Sequence, residues 1–152
     1  MPQDNTTGIW FIGARGGVAS AAALGIAALA REITTHAGLV STLPPFSQLD
    51  LVPWSQLVVG GHEIRGGSIA EAASALMAQI PSGSYSLVDD CRAELDAVDA
   101  RIRPGTCVGC GTTISNMAPL DGAPIAAPSA RAAVDYITRD LESFAADHDC
   151  RS

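Results

Sequence analysis

Gly8-Ile9-Trp10-Phe11-Ile12-Gly13-Ala14-Arg15-Gly16-Gly17-Val18-Ala19 is the stretch on which the reading of this chain turns. A short apolar run ending in glycine suits a buried strand. A glycine-rich turn comes at once after it, and then a small-residue stretch from Val18 to Thr35 with the character of a helix packed closely on a sheet. Strand, tight glycine turn and helix together are the context of a dinucleotide loop. Glycine lets the chain reverse sharply and brings the backbone near a pyrophosphate. The helix N-terminus then offers unbonded N–H groups and the positive end of its dipole. The spacing departs from G-x-G-x-x-G, because Arg15 and Val18 stand where glycines would fall and Gly16 and Gly17 supply flexibility instead. It is not a phosphate loop of the Gly-Lys-Ser/Thr kind. Read without a ligand, such a turn is simply tight strand–helix packing.

Outward from this unit, Leu57 to Gly61 reads as a second buried strand, and Leu39 to Ser41 as a short third one. The prolines at 44, 45 and 53 make Leu43 to Trp54 an irregular connection. Ser68 caps a helix over Ala70 to Ala78, with Glu71 placed for a capping box. Pro81-Ser82-Gly83 is a break. Leu87, Cys91, Leu95, Val98 and Ile102 recur at helical spacing, so Tyr85 to Ile102 is predicted as one amphipathic helix. Its acids Asp89, Asp90, Glu94, Asp96 and Asp99 would form the solvated face. Arg103 to Pro128 is rich in Gly, Pro and Thr and is predicted to be mostly loop. Ser129 opens a last helix with Ala133, Ile137, Leu141 and Phe144 on one face.

Alternating strands and helices imply an α/β chain: a Rossmann-like, doubly wound parallel sheet, incomplete at the C-terminus, forming one domain over 1–152. With 47% hydrophobic and 16% charged residues among 152, the chain can bury a sizeable core. A net charge of −7 argues against a nucleic-acid surface. The longest apolar stretch, Val18 to Ala30, is shorter than the roughly 20 residues of a membrane span. No secretory signal is recognisable, and a cytoplasmic location with four reduced cysteines is the expectation. All nine basic residues are arginine.

No suitable acid sits at the usual distance of about 20 residues after the loop to hold an adenosine ribose, since Glu32 falls in the first predicted helix and Asp50 follows a proline-broken stretch. Glu63, just past the second clear strand, is the better candidate, since carboxylates at strand C-termini face the ligand crevice of an open sheet. Read without a ligand, it is a solvated loop acid. His62 beside it is the histidine to test, either at the crevice or as a packing residue. Cys107-Val108-Gly109-Cys110 is a C-x-x-C pair, read as half a zinc site, a redox pair, or two loop thiols.

The order of these segments resembles the inositol-3-phosphate synthase family. Gly13 to Ser20 is similar to the family's Gly-x-Gly-Gly-Asn-Asn-Gly-Ser loop, with Arg15 and Ala19 replacing two glycines and Gly17-Val18 replacing the paired asparagines. Pro45-Phe46 leading to Leu57-Val58-Val59-Gly60-Gly61-His62-Glu63-Ile64 resembles the segment that ends in Gly-Trp-Asp-Ile. Ile137-x-Arg139-Asp140-Leu141-x-x-Phe144 resembles the helix before the family's Thr-Glu-Arg-like strand. The resemblance implies that Gly13, Ala14, Arg15, Gly16, Gly17 and Val18 hold the pyrophosphate of NAD and that Glu63 holds its adenosine ribose. A carboxylate there favours NAD over NADP. It further implies an enzyme that turns glucose 6-phosphate into inositol 3-phosphate by transient oxidation, aldol closure and reduction, as a homo-oligomer. The family's cationic catalysts are largely lysines from a later domain. This chain has none, so no catalytic residue is expected in it, and it is read as the cofactor-binding portion alone. Another NAD(P)-dependent oxidoreductase, a non-catalytic nucleotide-binding or interaction module, and a small metal-binding domain on Cys107 and Cys110 are the rival readings.

Overall fold

A computed structural model describes residues 6–80, 85–116 and 124–150. Its centre is a three-stranded, fully parallel sheet in the order β1-β2-β3, made of β1 (Thr7–Ile12), β2 (Leu57–Glu63) and β3 (Ile102–Pro104). Thr7 pairs with Leu57 and Ile12 with His62, while Gly61 pairs with Ile102 and Glu63 with Pro104. The chain is therefore α/β, with helices α1 (Gly17–Ala30), α2 (Ile69–Met77), α3 (Tyr85–Asp90), α4 (Arg92–Asp99), α5 (Thr112–Ser115) and α6 (Ala130–Asp147). No helix among the described residues is long and apolar enough to cross a membrane.

Side chains alternate across a strand, so each face of the sheet is written in every second residue. Ile9, Phe11 and Val59 point to the side covered by α1, α2, α3 and α4, where the main core lies. There Ala23, Leu24, Ala27 and Ala28 of α1 meet Ile69, Ala70 and Ala73 of α2 and Val88, Cys91, Leu95 and Val98 of α3 and α4. The alanine-rich helix faces explain how four helices crowd onto so narrow a sheet. Gly61 belongs to the same economy: a Cβ there would stand 2.4 Å from the Phe11 carbonyl oxygen and 2.8 Å from the Ala14 Cβ. Trp10 and His62 point the other way, toward α6, whose Phe144 is buried with its ring centroid 5.0 Å from that of Trp10.

Several local expectations hold in detail. Ser68 accepts from the Glu71 N–H while Glu71 accepts from the Ser68 N–H, completing the capping box of α2. Ser129 caps α6 through the Ala132 N–H.

Others do not. The first helix ends at Ala30 rather than Thr35, with Glu32 at a φ of +57° beyond it. Leu39 to Ser41 forms no strand; a 3-10 turn occupies Val40–Thr42, and the third strand lies at Ile102–Pro104 instead. That strand takes Ile102 from the predicted amphipathic helix and Arg103 and Pro104 from the predicted loop, which also holds the helical turn α5. The helix itself is broken at Cys91, whose ψ of +14° leaves the helical range. On α6, Leu141 is exposed, and the covered stripe runs through Ala133, Ile137, Asp140 and Phe144. The break read at Pro81 to Gly83 lies outside the described residues. After α6 the chain returns beside the sheet, where Cys150 forms a parallel bridge with Thr6.

Candidate functional site

The three strands end at one edge, and the segments leaving them converge there. After β1 the chain turns within Gly13 to Gly16. Gly13 has a φ of +84°, the left-handed region in which a side chain is strained. The N–H groups of Gly13 and Ala14 both donate to the His62 carbonyl oxygen at 2.8 and 3.0 Å, and Gly16 donates back to Gly13 at 2.9 Å. The turn is thus bonded to the end of β2. α1 then starts at Gly17 with no side chain capping it and no acid in its first turn. The Ser20 hydroxyl donates back to the carbonyl oxygens of Gly16 and Gly17 and leaves the first-turn N–H groups uncapped. Val18 is 86% exposed, and neither Gly13 nor Gly17 has an atom within 4 Å of where a Cβ would stand. Ala14, by contrast, is fully buried against Gly61, with its N–H committed to His62.

Glu63 is brought beside this turn. It is 2% exposed, and both carboxylate oxygens are occupied. Oε2 accepts from the Arg15 N–H at 2.8 Å and from Arg65 Nη2 at 3.1 Å. Oε1 accepts from the N–H groups of Ile64 and Arg65 at 2.8 and 3.2 Å and from Arg65 Nε. Burial acts to raise its pKa and is the largest single influence. The hydrogen bonds from the Arg65 side chain, Ile64, Arg15 and the Arg65 N–H together outweigh it and hold the carboxyl below its ordinary value. Glu63 is neither a solvated acid nor an open one.

Arg15 does not extend toward solvent. Its Nη2 lies 2.9 Å and its Nε 3.0 Å from Asp99 Oδ1, and its Nη1 donates to the Arg65 carbonyl oxygen. The Asp99 Oδ2 accepts from the Ile69 N–H at the start of α2. The expectation that Asp99 belongs to a solvated helix face is corrected by this geometry: one carboxylate joins the glycine turn, α2 and the end of α4. A charge that satisfies one buried guanidinium and one helix-terminal N–H is worth more than a solvated one.

On the α6 side of the same edge, His62 is 2% exposed. Trp10 Nε1–H can only donate, and it lies 3.0 Å from His62 Nδ1, so that nitrogen is the acceptor. Nε2 therefore carries the proton and donates to Asp140 Oδ2 at 2.7 Å. Asp140 Oδ1 in turn accepts from Arg103 at 3.1 Å. Burial raises the Asp140 pKa, but the bonds from His62 and Arg103 prevail and hold it low. Tyr136, whose hydroxyl donates to the Pro104 carbonyl oxygen, is raised by burial and then by the neighbouring Asp140. Both nitrogens of His62 are committed, which fits the packing role and leaves no free nitrogen for acid–base work.

Between these groups lies a cleft of about 300 Å³. Ile12 and Gly13 line it from β1, Glu63 and Arg65 from the end of β2, Thr106 and Cys107 from beyond β3, and Ile114 and Ile137 from α5 and α6. In an open α/β sheet this edge is where ligands bind. The cleft is largely apolar, with backbone groups and the Arg65 guanidinium at its rim, a lining suited to a flat apolar group carrying polar substituents.

Of the residues singled out from sequence, Gly13, Arg15, Gly16 and Glu63 are joined in one bonded unit, with Gly17 and Val18 opening α1 beside it. Arg65, Asp99, Arg103, Tyr136 and Asp140 were missed. Arg65 carried a signal, being two residues past the candidate acid, and Asp140 lay within the stretch that resembles the family's last helix. Among the described residues no group of three or more His, Cys, Asp or Glu side chains lies together as a metal would need. Cys91 is buried in the core, where burial raises its thiol pKa, and Cys150 sits at the bridge with Thr6. No protein-family model matches this chain, and no curated protein matches it either.

Proposed function

We propose that this chain is the NAD-binding portion of an inositol-3-phosphate synthase-like enzyme, folded as a Rossmann-type unit. The observation that carries the reading is the bond from the Arg15 N–H, inside the glycine turn, to the Glu63 carboxylate at the end of the neighbouring parallel strand. It sets an acid at the end of β2 against the turn at the end of β1, at the edge where such sheets take dinucleotides.

The residues fit the cofactor's parts. The open space at Gly13 and Gly17 and the uncapped start of α1 suit a pyrophosphate, which would take the first-turn N–H groups of α1. The apolar wall of Ile12, Ile114 and Ile137 suits an adenine ring. Glu63 reaches a ribose only if a hydroxyl replaces the Arg65 side chain, whose guanidinium is 38% exposed and the least anchored of the donors on that carboxylate. When bound, NAD⁺ would accept and return the hydride that the family's reaction requires. Stabilising the enolate and phosphate charge of that reaction calls for cations, and the lysines that serve the family have no counterpart in this chain. Arg15 is held by Asp99 and Arg103 by Asp140, so the catalytic groups are assigned to another part of the enzyme.

A non-catalytic nucleotide-binding module is the second reading. It is favoured by the engagement of Glu63 and Arg15 within the protein itself.

Calorimetric titration with NAD⁺, with NADP⁺ in parallel, tests the proposal. Gly17→Asp is the decisive variant. An acid in the first turn suits a helix N-terminus and meets no atom, so the fold is kept, yet its charge opposes a pyrophosphate. Saturable NAD⁺ binding that weakens about tenfold or more, or roughly 1.4 kcal/mol, in Gly17→Asp is expected. A folded chain that binds neither dinucleotide overturns the reading.

A further inference from the structure

Cys107 and Cys110 stand at the β3 end of the cleft, and the nucleotide reading uses neither. Cys107 lines the cleft next to Thr106. Both are thiols of intermediate exposure. Gly109, with a φ of +65°, turns the chain between them and keeps Cys110 among the groups that act on the Cys107 thiol. The segment before the turn is anchored: Gly105 donates to the Glu63 carbonyl oxygen at 2.7 Å and accepts from Ile125 at 2.8 Å, and Thr106 bridges to Ile125. Beyond it, Val108 is exposed and a Cβ at Gly109 or Gly111 would meet nothing within 4 Å, so the turn has room to adjust. Two thiols three residues apart, on a glycine turn with room to move, can be brought to the disulfide bonding distance of about 2 Å by adjustment of that turn.

The geometry points to Cys107 and Cys110 as a redox-active dithiol in the wall of the cleft, whose reaction partner is a low-molecular-weight disulfide. One thiolate attacks a sulfur of the partner, forming a mixed disulfide and expelling one small thiolate. The second cysteine's thiolate then attacks the protein sulfur of that mixed bond, closing the Cys107–Cys110 disulfide and expelling the other small thiolate. The protein gives up two electrons and two protons, and the partner disulfide becomes two thiols. Burial, and then the neighbouring Cys110 thiol, raise the Cys107 pKa, so Cys107 rests as a thiol at neutral pH and exchange through it speeds up as pH rises. The inference is independent of the nucleotide reading.

The test is incubation of the chain with oxidised glutathione in defined ratios with reduced glutathione, then acid quench and peptide mapping by mass spectrometry. The wild type is expected to lose the mass of two hydrogens, to fall from four reactive thiols to two on denaturation, and to carry a single Cys107–Cys110 link. Cys107→Ser and Cys110→Ser should each stop at a glutathione adduct on the remaining cysteine of the pair. Half-oxidation in the native chain should need about tenfold less oxidising glutathione than in denaturant, because the fold holds the sulfurs together. Persistent adducts on the wild type, a link involving Cys91 or Cys150, or equal ratios in the native and denatured chain would each overturn it.

Discussion

The guanidinium of Arg15 meets the carboxylate of Asp99 at 2.9 Å, across 84 residues of sequence. Arg15 belongs to the glycine turn after β1 and Asp99 to the last turn of α4, and the pair is largely shielded from solvent. Because Asp99 also accepts from the first N–H of α2, this one acid holds three elements in register around the sheet edge. The glycine turn, already bonded to the end of β2 through its backbone, is pinned from the helical side as well.

Asp99→Ala should therefore cost far more than loss of a surface pair. It leaves a nearly buried guanidinium and a helix-terminal N–H without their partner, a cost of about 3–5 kcal/mol for the charge alone. Urea unfolding of the variant and of Asp99→Asn, which keeps one acceptor, measures it; the asparagine variant is expected to lose less. A cost under about 1 kcal/mol, the range of exposed pairs, would contradict the pinned turn.

Glu63 and Asp140 make stability depend on acid. Both carboxyls are held below their ordinary range in the folded state. A group of that kind contributes stability above its unfolded pKa and loses it as pH falls through the folded value. Stability should be level above about pH 5 and decline progressively below about pH 4. Glu63→Gln should be less stable at neutral pH and show a shallower decline, measured as urea midpoints across the pH range. A decline as steep as that of the wild type would assign the acid sensitivity elsewhere.

Two glycines predict opposite outcomes for the same substitution. Gly61→Ala drives a methyl into the Phe11 carbonyl and Ala14, so the strand or the turn must shift, at a cost of about 1–3 kcal/mol. Gly25→Ala sits within α1 with open space around it and should stabilise the chain by about 0.5–1 kcal/mol through helix propensity. Thermal melts of the pair decide it.

His62→Phe keeps an aromatic ring, a somewhat larger one, but strands the Trp10 N–H and one oxygen of Asp140. With each unsatisfied buried group costing about 1–3 kcal/mol, a loss of a few kcal/mol is expected. Trp10 fluorescence reports the unfolding. A neutral result would mean that the Trp10–His62–Asp140 chain is dispensable.

The sequence by itself determined what is local. The β1–turn–α1 unit, the capping box at Ser68 and the cap at Ser129 were legible because strand character, glycine punctuation and cap chemistry act between neighbours a few residues apart. The placement of Glu63 at a strand end was legible for the same reason, whereas its facing the glycine turn rests on β2 pairing parallel to β1. Tertiary structure decided the rest. Ile102 to Pro104 becomes a strand only because Gly61, His62 and Glu63 offer it an edge, so three residues with helical spacing before them read wrongly. Asp99 looks like a solvated helix acid until Arg15 arrives from elsewhere in the chain, and Asp140 acquires its partners only when His62 and Arg103 are brought to α6. Glu63 looks open to a ligand until Arg65 closes on it. In each case the deciding partner lies across the fold, or bends back through a loop, and burial converts an ordinary polar side chain into one that must be paired.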